Sequence, residues 1–294
     1  MKQANPELRV RSLSLWKGEV SLAPLKGGLS NTSFIVTDEV GTFVARVGED
    51  YPFHQVSRER EAVASHAAHV AGLSPKVLFA EDGLMVVQHL AARTYADIDV
   101  QKNWRACVDI LKKCHSEMPK LVHGQGAIFW VFQILRDYSL TLAIEGGPRS
   151  SEILRWRSII DALEAVQVPL PIVFGHHDLL PSNFMDDGKR LWLIDWEYGA
   201  FGTAMFDLAN LAAANGFDAD LENQMLHHYF NKVDAELSRA FAAMKVAAAL
   251  REAMWGMVSE LHLSVPGVDY AAYADENLAR FENIFADYEK RFAP

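Results

Sequence analysis

Phe174-Gly175-His176-His177-Asp178-Leu179-Leu180-Pro181-Ser182-Asn183, followed by Leu193-Ile194-Asp195-Trp196-Glu197, is the stretch that decides the reading of this chain. Its spacing is His-x-Asp-x-x-x-x-Asn, and an apolar run then delivers a second Asp twelve residues on. Such spacing gathers two carboxylates and an amide at one loop. Asp178 is suited to orient or deprotonate a hydroxyl. Asn183 and Asp195 carry the hard oxygen donors that Mg²⁺ takes. Turn-forming Asp and Asn are the bland alternative, and the full spacing outweighs it.

Outward from that loop the texture divides in two. Before it, residues 1–90 read mostly as strands. Ser33–Thr37 and Thr42–Val47 flank a turn at Glu39-Val40-Gly41, and Val77–Phe79 and Leu84–Leu90 flank Glu81-Asp82-Gly83. The apolar spacing from Val56 to Val70 predicts one helix between the pairs, with Gly72 as its stop. After Leu90 the pattern is helical: Asn103–Glu117, ended by Pro119, then Ile128–Leu142 and Glu152–Val166. Short strands at Leu170–Phe174 and Leu191–Ile194 bracket the polar loop, and from Phe206 onward the chain is almost all helix. We therefore expect an α+β molecule of two lobes, 1–90 small and β-rich, 91–294 larger and mostly helical. A cleft between lobes is a common ligand site.

Composition narrows the function classes. The 294 residues carry a formal net charge of −10, which excludes a basic nucleic-acid footprint. Residues 1–90 hold 9 cationic and 10 anionic side chains, the rest 19 and 28, so the acidity lies in the second lobe and suits a cationic ligand or a metal ion. Two cysteines, Cys107 and Cys114, build no disulfide framework and fit a reducing compartment. The first residues show no signal-peptide pattern and no apolar stretch is long enough to span a membrane, so the expected location is cytoplasmic without membrane insertion.

The motif His176–Asn183 with Ile194-Asp195 resembles that of the aminoglycoside phosphotransferase and choline/ethanolamine kinase superfamily. Ile194-Asp195-Trp196-Glu197-Tyr198 followed by Phe206-Asp207 resembles the choline kinase signature in particular. The resemblance runs from about Leu25 to Phe292. It implies a protein-kinase-like two-lobed fold, ATP and Mg²⁺ as cofactors, and phosphoryl transfer to a small-molecule hydroxyl. It also implies roles. Gly28, Ser30, Asn31 and Thr32 fall in the nucleotide-binding loop, where small residues let the backbone approach phosphates. Arg46 stands where protein kinases place a strand lysine, and Glu61 on the next helix would pair with it. Gln88 and Leu90 fall at the hinge, where backbone groups would bind adenine, with Val44, Phe79 and Ile194 as apolar walls. His176 is a scaffold residue of the catalytic loop, and His177 is expected to face solvent or substrate.

For the acceptor, choline kinases surround a quaternary ammonium with aromatic rings and carboxylates. Trp255 matches the first Trp of their Trp-Gly-x-Trp stretch, but Val258 replaces the second. Glu197 matches a signature Glu, and Tyr270 and Tyr273 could each contribute a ring. The expected partner is thus a small cationic alcohol, choline first and ethanolamine second. The rivals are an aminoglycoside or thiamine kinase, for which Asp218, Asp220 and Glu222 become the interesting carboxylates, and a nucleotide-binding pseudokinase. A homodimer is an open option.

Overall fold

The computed structural model describes residues 5–25, 31–81, 83–147 and 149–292. Helix α1 (Pro6–Arg11) precedes strands β1 (Ser21–Leu25), β2 (Thr32–Thr37) and β3 (Thr42–Val47), helix α2 (Arg58–Val70), and strands β4 (Val77–Glu81) and β5 (Leu84–Gln88). The five strands form one antiparallel sheet in the order β1-β2-β3-β5-β4. Side chains alternate faces along a strand, and here each face has one job. Phe34, Val36, Ala45, Val47, Leu84 and Val86 are buried beneath Val10 of α1 and Trp16. Ser33, Ile35, Val44, Arg46, Met85 and Val87 point the other way and line a cavity. The register sets Arg46 opposite both Ser33 and Met85, in the middle of that second face.

Helix α2 starts at its Ser57 cap, whose side chain accepts from Arg60 N–H, and stops at Ala71 with Gly72 following at φ +69°. The expected strand pairs and the helix between them are therefore present. Phe79 differs from expectation: it packs toward the small sheet core, not the cavity. The sheet also holds β1, which the sequence patterning did not single out.

Past the sheet come β6 (Arg93–Thr94), α3 (Asp97–Lys102), α4 (Trp104–Leu121), α5 (Val131–Glu145) and α6 (Ile153–Glu164). Then follow β7 (Ile172–Gly175), β8 (Phe184–Asp186), β9 (Leu191–Leu193) and β10 (Ala200–Thr203), and helices α7 (Ala204–Ala214), α8 (Ala219–Phe230), α9 (Ala235–His262) and α10 (Tyr270–Phe292). Pro119 lies inside α4 and does not end it. A proline removes one backbone donor, and near the last turn that costs a single hydrogen bond. Ile128, expected to open a helix, instead forms an isolated bridge to Phe201. Helix α9 runs through the centre of the second lobe, buried almost continuously from Ala240 to Ser259. It packs on α5, α7 and α10. A Cβ on Gly256 would sit 3.0 Å from the Ala274 backbone, so this glycine sets the α9–α10 approach. Cys107 and Cys114 are buried free thiols. No described helix is long and apolar enough to cross a membrane.

Candidate active site

The catalytic stretch leaves β7 at Gly175 and is held from below by Asp207 of α7. Asp207 is fully buried; its carboxylate accepts the backbone N–H of His176 at 2.9 Å and of His177 at 2.8 Å. His115 Nε2 reaches the same carboxylate at 2.9 Å. These contacts hold the Asp207 carboxyl far below the usual carboxylate range against the opposing effect of burial. There is no room for a side chain at Gly175, where a Cβ would lie 2.5 Å from His177 Nε2 and 2.9 Å from Asp207 Oδ2.

The two histidines have distinct roles. His176 is wholly buried, and its Nε2 lies 2.9 Å from the Ile194 carbonyl, so Nε2 carries the proton. Nδ1 is then free to accept the Asp178 N–H at 3.3 Å. Burial pushes the imidazole pKa down, which keeps it neutral. His177 corrects the expectation of an exposed or substrate-facing group. It is 0% exposed, stacks on Phe129 with centroids 4.1 Å apart, and donates from Nδ1 to the Tyr198 carbonyl at 3.0 Å. Its φ of +65° explains the burial: the turn at this residue directs the ring inward.

Asp178 and Asn183 are joined directly. Asn183 Nδ2 donates to the Asp178 carbonyl at 2.8 Å and to its Oδ2 at 3.1 Å. This leaves the Asn183 amide oxygen as its donor atom toward a metal. Asn210 and Asn215 brace the loop from behind through Leu179 N–H and C=O. Asp195, at φ +68°, stands beyond Ile194, whose N–H is bonded to the Asn183 carbonyl at 3.0 Å. Asp178, Asn183 and Asp195 all line one cavity of about 810 Å³. Burial pushes the Asp178 carboxyl well up, and Glu252 adds to that while Arg251 opposes it.

The cation expected on β3 is in place. Arg46 Nη1 is 3.2 Å from Glu61 Oε1, and Nη2 is 2.6 Å from Asp195 Oδ1. Arg58, three residues before Glu61, was assigned no role from the sequence. It is buried and bridges Glu61 at 2.6 Å and Glu197 at 3.0 Å through Nη1. Glu197 lines the cavity too, and Asn31 Nδ2 lies 3.4 Å from it. Gly28 and Ser30 fall outside the described residues. Thr32 opens β2 and is exposed; among the described residues the cavity wall includes Asn31 but not Thr32. Gln88, His89 and Leu90 also line the cavity, as do Val44 and Ile194. The Gln88 N–H is bonded to the Lys76 carbonyl at 2.8 Å.

Farther along the cavity Trp255 and Tyr273 form a wall, with Tyr270 packed against Trp255 at the margin. Two neighbours on α9, Arg251 and Glu252, complete it and were not anticipated. Glu252 lies one turn before Trp255, on the same helix face, which is the signal that could have found it. Tyr273 OH donates to Glu252 Oε1, and Arg251 Nη1 to Glu252 Oε2 at 2.9 Å. Two of the acidic residues of the aminoglycoside alternative are used otherwise: Asp218 caps α8 through Leu221 N–H, and Glu222 is paired with Lys245, while Asp220 does not line the cavity.

As to Mg²⁺, Asn183 and Asp195 present hard oxygen donors on one wall, and Mg²⁺ commonly takes one or two protein oxygens and completes its shell with phosphates and water. The donor set fits that ion.

Comparison with known proteins gives the family and the fold. The model of the phosphotransferase enzyme family matches residues 21–256. A probable ethanolamine kinase from Arabidopsis thaliana is 28% identical over 296 residues, spanning 86% of this chain and 76% of that protein. A choline/ethanolamine kinase family protein from Mesorhizobium loti superposes with a TM-score of 0.75 at 25% identity, covering 95% of this chain and 94% of that one. The choline kinase LicA from Streptococcus pneumoniae gives 0.76 at 22% identity over 96% and 98% of the two chains, a likeness of fold. The two-lobed protein-kinase-like architecture expected from the sequence is the one observed.

Proposed function

The chain belongs to the phosphotransferase enzyme family, and from that premise we propose that it transfers the γ-phosphoryl group of ATP to the hydroxyl of a small cationic amino alcohol, choline or ethanolamine. The observation that carries this reading is the convergence of Asp178, Asn183, Asp195 and the Glu61-held Arg46 on one cavity whose far end is walled by Trp255, Tyr273 and Glu252. Names of relatives point the same way, to ethanolamine in one and to choline or ethanolamine in another.

Adenine would lie along Val44 and Ile194, with the Gln88 carbonyl accepting and the Leu90 N–H donating, because the Gln88 N–H is already bonded. Arg46, always charged, would grip phosphate oxygens through its paired donors. Asn183 and Asp195 would hold Mg²⁺, which neutralises the phosphates when bound. Asp178 then orients the acceptor hydroxyl and takes its proton late, since the transition state is loose and positioning dominates. Burial and Glu252 raise the Asp178 pKa, and a cation arriving beside it lowers it again, so acceptor binding itself favours the ionised base.

The test is ADP formation by the purified protein with Mg²⁺ and ATP across choline, ethanolamine, thiamine and aminoglycosides. Turnover confined to the amino alcohols is expected. Turnover confined to thiamine or aminoglycosides moves the acceptor class, and ATP binding with no turnover on any acceptor revives the pseudokinase.

A further inference from the structure

At the acceptor end of the cavity some ring faces are already taken by the protein. His54 lies against one face of Trp255, centroids 5.0 Å apart and planes 19° from parallel. The indole N–H of Trp255 is bonded to the Tyr198 hydroxyl at 2.8 Å. The Tyr198 ring in turn carries the Arg251 guanidinium at 4.4 Å. Each of these two rings thus has one face taken by a partner from the protein itself. A quaternary ammonium has no N–H and depends on ring faces and charge alone.

Glu252 offers something different. It lines the same cavity as Asp178, and two of its lone-pair directions are used, by Tyr273 and Arg251. A carboxylate has about four such directions, so an N–H donor can still be accepted. The charge also balances. Asp178, Glu252 and Glu276 against Arg251 and Arg280 leave one net negative charge, the complement of a singly charged ammonium.

We propose that Glu252 selects acceptors whose ammonium carries N–H bonds, a primary, secondary or tertiary amino alcohol, over a quaternary one, while Arg251 already occupies one face of the Tyr198 ring. The proposal rests on the amino-alcohol kinase reading above and reverses the acceptor order expected from sequence. Each N-methyl group removes a donor to Glu252, and the last removes the final one.

The experiment measures kcat/KM for ethanolamine, its N-methyl and N,N-dimethyl derivatives and choline at saturating Mg·ATP, with binding of the same amines followed by tryptophan fluorescence. The expected result is a stepwise fall, about 10- to 100-fold from ethanolamine to choline, as for loss of a hydrogen bond to a charged group. Glu252→Gln should raise KM for ethanolamine by about 10-fold or more and leave KM for ATP unchanged. Arg251→Met should raise choline turnover relative to ethanolamine. Should either variant fail to fold, the amine series on the unaltered protein still decides. Choline used as well as ethanolamine, or a folded Glu252→Gln with unchanged ethanolamine KM, overturns the proposal alone. ADP formation with none of the four amines overturns it together with the reading beneath it.

Discussion

The Arg58 guanidinium stands 3.0 Å from the Glu197 carboxylate, both side chains only 8% exposed, and so ties helix α2 to the loop that follows Asp195. The same nitrogen holds Glu61, whose other oxygen holds Arg46. One buried chain of charges therefore runs from the cation of the sheet to the acidic loop of the helical lobe. Removing one member of a buried ionic group strands the others and costs about 3–5 kcal/mol. Arg58→Met should lower the denaturant midpoint accordingly and reduce kcat through a displaced Arg46. An unchanged midpoint would show that water replaces the guanidinium freely.

Asp178→Asn retains the shape of the catalytic loop and its bond to Asn183 but cannot accept a proton. Turnover should fall about 100- to 10,000-fold, the usual worth of a general base. Nucleotide affinity, measured by calorimetry, should stay near that of the unaltered protein, because Arg46 and the apolar walls are untouched. Near-normal turnover would remove Asp178 from the mechanism.

His177 predicts a pH dependence of stability. Burial pushes its pKa down to about 4, against about 6.5 in an unfolded chain. Between those values the unfolded chain takes up a proton that the folded one refuses. The contribution is thus whole above about pH 6.5 and is lost as pH falls, by about 3 kcal/mol near pH 4. His54 and His176 are shifted in the same direction. Urea midpoints should drop steadily from pH 7 to pH 4.5, and His177→Phe should flatten that slope. A midpoint independent of pH over this range would contradict the buried, neutral ring.

Gly256→Ala tests the link between helix packing and the acceptor wall. The new methyl would press on Ala274, the residue after Tyr273. Overpacking of this kind costs about 1–3 kcal/mol. The expected signature is a higher acceptor KM with an unchanged ATP KM, since Tyr273 moves and the sheet does not. Equal changes in both constants would point to general loosening.

Much of the site was legible because its chemistry is contiguous. Asp178, Asn183 and Asp195 lie within one loop–strand–loop stretch, and Arg46 came from the family resemblance, with the strand register then setting it on the cavity side. Glu61 followed from its position on the next helix. Arg58 was given no role of its own, although Arg58 and Glu61, three apart, share a helix face. His177 was misjudged because two adjacent histidines give no periodicity; a positive φ and a buried aspartate thirty residues on decide its direction. His54 lies in a short 3-10 turn with no pattern at all, and only tertiary packing gives it a role. Strands β6, β8 and β10 are two to four residues long, too short for alternation to register.

That turn has a consequence for how the polypeptide can be divided. His54 is hydrogen-bonded to Tyr138 of α5 and Ser259 of α9, and Phe53 stacks on His262 with centroids 4.5 Å apart. A fragment ending near residue 90 would carry these rings to its surface without their partners, and the complementary fragment would hold an unfilled slot behind Trp255. The two halves are therefore poor modules for swapping between related enzymes. A chimera joined at the sheet–helix junction would have to bring residues 51–56 along with the helical half to keep its acceptor wall in shape.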